Sequence, residues 1–180
     1  MNYSSRLWKG NIKGIKLMER ISKDEYYIKI ALTVSKRSTC LKRHYGAVIV
    51  NNDEIIATGY NGNPRGLENC CERGFCNRMD KPHNSGDYSD CYSVHAEQNA
   101  MLSAARKDMI GGTLYLAGEE EVNSEYCGGT IFGKTYQEIR VGVAPCPICT
   151  RMILNSGIKE VVVRFGDSLE HIDIKQLGGK

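Results

Sequence analysis

Apolar and polar positions along the chain sort into segments of distinct period. Ser22-Lys23-Asp24-Glu25 has the form of a capping box, and Tyr27, Ile28, Ala31, Leu32 and Val34 recur behind it at helical spacing. A first helix is therefore expected to run to about Thr39. Two β-branched runs follow, Tyr45 to Val50 and Glu54 to Tyr60, and Asn51-Asn52-Asp53 between them makes the pair read as a hairpin. Val94 to Lys107 has helical composition, Thr113 to Ala117 is a short strand, and Pro147 to Asn155 is a helix ended by Gly157. Lys159 to Phe165, centred on Val161-Val162-Val163, reads as a buried strand. The order helix, hairpin, helix, strand, helix, strand predicts a mixed sheet covered by helices in an α/β layer.

Between these elements lies Gly62 to Cys91, rich in Gly, Pro, Asn, Asp and Cys and without usable periodicity. A segment of that length needs a local organiser or a function. The chain of 180 residues is the size of one domain, and no apolar run is long enough to cross a bilayer. No secretory signal is evident, so the cytoplasm is the expected compartment. The formal charge of +3 is uneven: residues 1–21 carry a net +4, leaving 19 basic and 20 acidic side chains in the remainder. Residues 1–21 therefore read as a basic extension, probing no core of their own, with the ordered chain expected to begin near Met18 and residues 1–17 being a mobile arm or an upstream extension. The domain is expected over 22–180. A near-neutral body lacks the basic stripe needed to replace counterions along many phosphates, so no polymeric nucleic-acid partner is expected.

Eight cysteines change the picture, because disulfides seldom persist in a reducing compartment and clustered thiols there more often hold zinc. His95-Ala96-Glu97 opens one predicted helix and Pro145-Cys146-Pro147-Ile148-Cys149 opens another. Two cysteines three apart at a helix start can aim thiolates at one ion, and the helix dipole favours their anionic form. One imidazole from His95 completes three protein ligands and leaves a fourth tetrahedral position open, the layout of a catalytic zinc. Glu97 lies two residues from His95, close to the metal without being a ligand, where a proton shuttle belongs. A lone H-x-E or a lone C-x-x-C would be read as a core histidine or a redox pair; their combination is the signature of zinc-dependent nucleobase deaminases.

The sequence resembles the cytidine and deoxycytidylate deaminase superfamily, and within it the deoxycytidylate (dCMP) deaminases. The resemblance runs from about Ile28 to Phe165 through Tyr45-Gly46-Ala47-Val48-Ile49-Val50, Gly59-Tyr60-Asn61-Gly62, His95-Ala96-Glu97-Gln98-Asn99-Ala100, Pro145-Cys146-Pro147-Ile148-Cys149 and Ser156-Gly157-Ile158. It implies a three-layer α/β/α fold with a five-stranded mixed sheet, cytidine deaminase-like. It implies zinc-dependent conversion of dCMP to dUMP and ammonia, supplying thymidylate synthesis, with Glu97 moving protons between water, the ring and the leaving amine. Deamination of another base, such as tRNA adenosine or free cytidine, and a non-catalytic zinc-fold module are the alternatives. The same resemblance implies a homo-oligomer, hexamer or dimer, with dCTP and dTTP as effectors. Asn61 and Ala96 are candidate substrate contacts, Asn61 toward the sugar, although Asn61 also fits a plain turn residue beside Gly62. Arg65 is the candidate for the 5′-phosphate, although an arginine on a loop is more often solvated.

The chain departs from the family pattern through insertions at 62–91 and 119–144, the second being a candidate hairpin arm or lid. In the first, Cys40, Cys70, Cys76 and Cys91 are candidate ligands of a second, structural zinc that would organise the loop. Relatives of the phage type imply Cys40 and one cysteine of Asn69-Cys70-Cys71. Cys76 and Cys91 come from spacing, Cys71 or His83 could replace one of them, and buried thiols without a metal remain the alternative.

Overall fold

The computed structural model describes residues 20–81, 89–119, 145–165 and 168–177. Residues 1–19 of the expected basic extension, His83, Cys127 and residues 120–144 of the insertion expected at 119–144 lie outside the described residues. In chain order the elements are α1 (Lys23–Ser35), β1 (His44–Asn51), β2 (Glu54–Tyr60), α2 (Cys70–Arg73), α3 (Ala96–Leu102), α4 (Arg106–Met109), β3 (Thr113–Glu119), α5 (Pro147–Ser156), β4 (Glu160–Phe165), β5 (Ser168–Asp173) and α6 (Ile174–Leu177). The strands form one sheet in the order β2-β1-β3-β4-β5. Among the described residues β3 and β4 are the parallel pair, with α5 in the crossover between them, and the other neighbours are antiparallel.

Alternation along the central strands makes two cores. Ala47 and Ile49 of β1, Leu114 and Leu116 of β3, and Val161 and Val163 of β4 face α3 and α5. The residues between them, Val48, Val50, Tyr115, Ala117 and Val162, face Tyr27, Ile28 and Ala31 of α1. Successive side chains of a strand point to opposite faces, so a strand covered on both sides must be apolar throughout, which is why these runs show no polar alternation. The result is the three-layer arrangement with a five-stranded mixed sheet. Among the described residues no helix is long and apolar enough to cross a membrane.

The helices are held by specific contacts as well as by apolar area. Ser22 Oγ caps α1 by accepting from Glu25 N at 3.1 Å. Tyr115 donates its hydroxyl to Asp24 at 2.7 Å, Tyr27 donates to Asp53 at 2.8 Å, and Arg164 of β4 pairs with Glu25 at 2.6 Å. These tie the first turn of α1 to the sheet and to the β1–β2 turn. Asn52 and Asp53 adopt left-handed φ of 49° and 68° in that turn, the conformation a tight hairpin requires.

Several boundaries differ from the sequence reading. Helix α1 stops at Ser35 instead of Thr39, because Thr39 N is used to reach Asn61 O at 3.3 Å. The segment Val94 to Lys107 is two helices: Ser103 ends α3 and bonds back to Asn99 O at 2.9 Å, and Ala105 restarts the chain in an extended conformation. Strand β5 was not evident from the sequence, since Ser168 to Asp173 is an edge strand whose side chains are mostly exposed and carry no strong alternation.

Gly59 fixes the spacing between α3 and the sheet. A Cβ there would lie 2.2 Å from Ala100 N and 2.3 Å from Ala96 O, both backbone atoms that cannot swing aside. Gly59→Ala is expected to lower unfolding stability by about 1–3 kcal/mol, toward the upper end because the clash is with main chain. A urea melt unchanged from wild type would contradict this packing.

Candidate active site

The sheet directions bring two helix starts to one edge. Strands β2 and β3 are each antiparallel to β1, so their C-terminal ends coincide, and α3 and α5 both begin beyond that edge. Paired main-chain bonds between Gly62 and Val94, at 3.1 and 2.8 Å, hold the segment entering α3 beside the segment leaving β2. His95 is the N-cap of α3 and is fixed by its own N–H donating to Gln98 Oε1 at 2.9 Å. Cys146 is the N-cap of α5, with Pro147 in the first turn where its missing N–H costs nothing. Its sulfur accepts from Cys149 N at 3.4 Å.

His95 Nδ1 lies 3.6 Å from Cys146 Sγ and 3.5 Å from Cys149 Sγ. A zinc ion bound tetrahedrally by nitrogen at about 2.0 Å and sulfur at about 2.3 Å separates two such ligands by about 3.5 Å. The donor set and its spacing therefore fit zinc. Among the described residues this is the one group of three such ligand atoms lying within 4.8 Å of one another. The hydrogen bond from Cys149, and then His95, pull the Cys146 thiol down to about 3, while holding the shared proton pushes Cys149 upward. A divalent cation replaces that proton and satisfies both sulfurs.

Glu97 sits in the first turn of α3 with 5% of its surface exposed. Burial pushes its carboxyl above the ordinary range, opposed by His95 and by a hydrogen bond with the Cys149 thiol. The carboxyl thus reaches the Cys149 thiol of the ligand cluster, and burial favours its protonated form.

Residues 21–165 match the family described as the cytidine and deoxycytidylate deaminase zinc-binding region. This chain belongs to that family. A deoxycytidylate deaminase of Schizosaccharomyces pombe is 38% identical over 144 residues, covering 79% of this chain and 37% of that protein. One from Mycobacterium phage D29 is 34% identical over 151 residues, covering 81% of this chain and 96% of that protein. The chain spans a little over a third of the length of the S. pombe relative and of a similar one from Saccharomyces cerevisiae, 37% and 38%. Among solved structures, the dCMP deaminase of cyanophage S-TIM5 in complex with dCMP and dUMP is 28% identical with a TM-score of 0.52, covering 81% of this chain and 84% of that one.

The remaining candidates separate in space. Asn61 is buried, and its amide braces main chain: Oδ1 accepts from Tyr45 N at 2.8 Å and Nδ2 donates to Arg43 O at 2.9 Å. One amide hydrogen and one lone pair remain for a ligand. Ala96 is fully buried against β2 and Arg65 is exposed. Cys40, Cys70, Cys76 and Cys91 are gathered in one neighbourhood: burial first, then the nearby thiols, raise Cys40 and Cys76. Their sulfurs are not at the ligand spacing of the catalytic group. Sequence reading missed Asn99, which donates to Tyr60 O at 2.7 Å and ties α3 to the end of β2. It also missed Lys42, whose ammonium donates to the carbonyls of Arg78, Met79 and Lys81 at 2.6, 3.1 and 3.1 Å. Asn99 lay within the family motif, but its partner is a main-chain atom that no spacing rule names.

Cys149→Ser is expected to lower zinc affinity by more than the roughly 10–100-fold that loss of an outer-shell partner causes. Metal analysis after dialysis against a weak chelator checks it; full retention of the ion would refute this ligand set.

Proposed function

We propose that this protein deaminates dCMP hydrolytically, giving dUMP and ammonia. The observation that carries the reading is Glu97, a buried carboxyl in contact with a three-ligand group that leaves one metal position free. It is supported by relatives that are themselves deoxycytidylate deaminases and by a structural neighbour holding dCMP and dUMP. Zinc at His95, Cys146 and Cys149 supplies the Lewis acidity that makes water a nucleophile at neutral pH. Glu97 accepts a proton from the water that adds to C4 of the cytosine ring and delivers it to N3. It then takes the proton of the new C4 hydroxyl and passes it to the amine, which departs as ammonia while the C4 carbonyl forms. The raised pKa of Glu97 suits the transfer, because a carboxyl at the ordinary value would accept the proton of water too reluctantly. Asn61, Ala96 and Arg65 remain candidate substrate contacts in this reading, and oligomerisation, response to dCTP and dTTP, and a cytoplasmic location rest on the family resemblance.

Ammonia release is expected from dCMP ahead of deoxycytidine, CMP, dCTP and adenosine-containing RNA. Glu97→Gln should keep its metal and lose about 10²–10⁴-fold in kcat. Turnover by that variant within about tenfold of wild type, under the same principle, would overturn the role given to Glu97.

We further propose that Cys40, Cys70, Cys76 and Cys91 hold a second, structural zinc. Their shared neighbourhood supports it, as do the cations around them: Lys42 interacts with Cys40 and Cys76, and Arg73 Nη2 lies 3.8 Å from Cys70 Sγ. Four thiolates and one zinc carry a net charge of about −2, which nearby cations offset. Two zinc ions per chain are expected, falling to one in Cys91→Ser with the loop becoming protease-sensitive. One zinc per fully active wild-type chain would remove the second site.

A further inference from the structure

A cleft of about 160 Å³ borders the loop after β2 and is lined by Asn63, Leu67, Glu68, Arg73 and Tyr92. It flanks the metal centre along the chain: Asn63 follows Gly62, Tyr92 precedes His95 by three residues, and the Gly62–Val94 bonds lock the two segments together. Arg73 ends α2, the short helix started by Asn69, whose N–H is capped by Glu72 at 2.8 Å. The Arg73 guanidinium lies 4.6 Å over the Phe75 ring, and its Nη2 contacts Cys70 Sγ. Its Nε is buried and has no hydrogen-bond partner among the described residues. No described carboxylate lies within ion-pair distance of it.

This is an unusual state for a guanidinium, which carries five donors and normally spends them. An aromatic ring against its face directs its remaining donors in the guanidinium plane toward the cleft that Arg73 lines, and such donors match the oxygens of a phosphate. Glu68 sits oddly beside an anion site, but its side chain is exposed and its carbonyl is engaged by Asn63 Nδ2 at 2.5 Å. Arg65, by contrast, is exposed and does not line the cleft.

We propose that Arg73, not Arg65, receives the 5′-phosphate of the nucleotide in this cleft and so sets the preference for a nucleotide over a nucleoside. The assignment rests on the reading of the protein as a nucleotide deaminase. Tyr92 and Asn63 stand beside the phosphate, and Phe75 holds the guanidinium plane so that its fork is presented without a search among rotamers.

The test titrates the zinc-loaded full chain with dUMP and with 2′-deoxyuridine, in wild type, Arg73→Gln, Arg73→Lys and Arg65→Gln. Arg73→Gln should weaken dUMP binding by about 10- to 100-fold, the range for a hydrogen bond to a charged group, and leave deoxyuridine binding unchanged. Arg73→Lys should recover part of the loss. In turnover, Arg73→Gln should raise KM for dCMP with kcat held within about threefold, the pattern of lost uniform binding. Absence of dUMP binding by the wild type, equal dUMP binding by wild type and Arg73→Gln, a parallel loss of dUMP and deoxyuridine, or a loss confined to Arg65→Gln would each overturn the proposal. A wild type that binds dUMP through Arg73 yet releases no ammonia from dCMP would sink the reaction and leave this site standing. Turnover of dCMP with Arg73→Gln silent does the reverse.

Discussion

Three ligand atoms from two helix starts, brought to the edge of one sheet, are the constraint on which the site depends. His95 and the two cysteines meet at 3.5 and 3.6 Å although more than fifty residues separate them in sequence. Sulfurs gathered this closely repel one another when ionised, and a single shared proton satisfies them only in part. A divalent cation held by these three atoms would resolve that conflict and would join α3 to α5. Glu97 then has its place because it follows His95 on the same first turn of α3.

The geometry survives because the surrounding packing leaves little freedom. Gly59 lets the backbone of α3 lie directly on β2, and Gly46 does the same for α1 on β1, where a Cβ would fall 2.1 Å from Ala31 O. Apolar side chains on both faces of β1, β3 and β4 fill the space on either side. Burying each large aliphatic side chain contributes roughly 1.5–3 kcal/mol, so the sheet is a rigid base on which angles at its edge are fixed. Rigid elements position reacting groups better than loops do.

The loop from Gly62 onward solves a different problem. Lacking apolar periodicity, it is held by polar groups that reach main chain: Asn61 to Tyr45 and Arg43, Ser38 to Asn61, Lys42 to the carbonyls of Arg78, Met79 and Lys81. Burial of the Lys42 ammonium lowers its pKa, opposed by the neighbouring Cys76 thiol. Lysine serves there as a fixed cation for carbonyl oxygens that no strand or helix satisfies. The same segment places Arg73 in the cleft beside Asn63 and Tyr92.

By itself the sequence determined the elements with strong period and the residues of the metal centre. Ala47 to Val50 and Val161 to Val163 are legible because a strand buried on both faces is apolar, and Glu54 to Tyr60 because its β-branched residues follow a tight turn. His95, Glu97, Cys146 and Cys149 are legible because local spacing at a helix start is a property of sequence. Tertiary structure alone decided which strands lie beside the hairpin, that β5 pairs with β4, and that α2 forms inside a segment without period. It also decided that Asn61 braces main chain and that Arg73, not Arg65, lines the cleft. Those outcomes depend on partners distant in sequence, or on main-chain atoms that every residue carries alike, and neither leaves a mark on the local order of side chains.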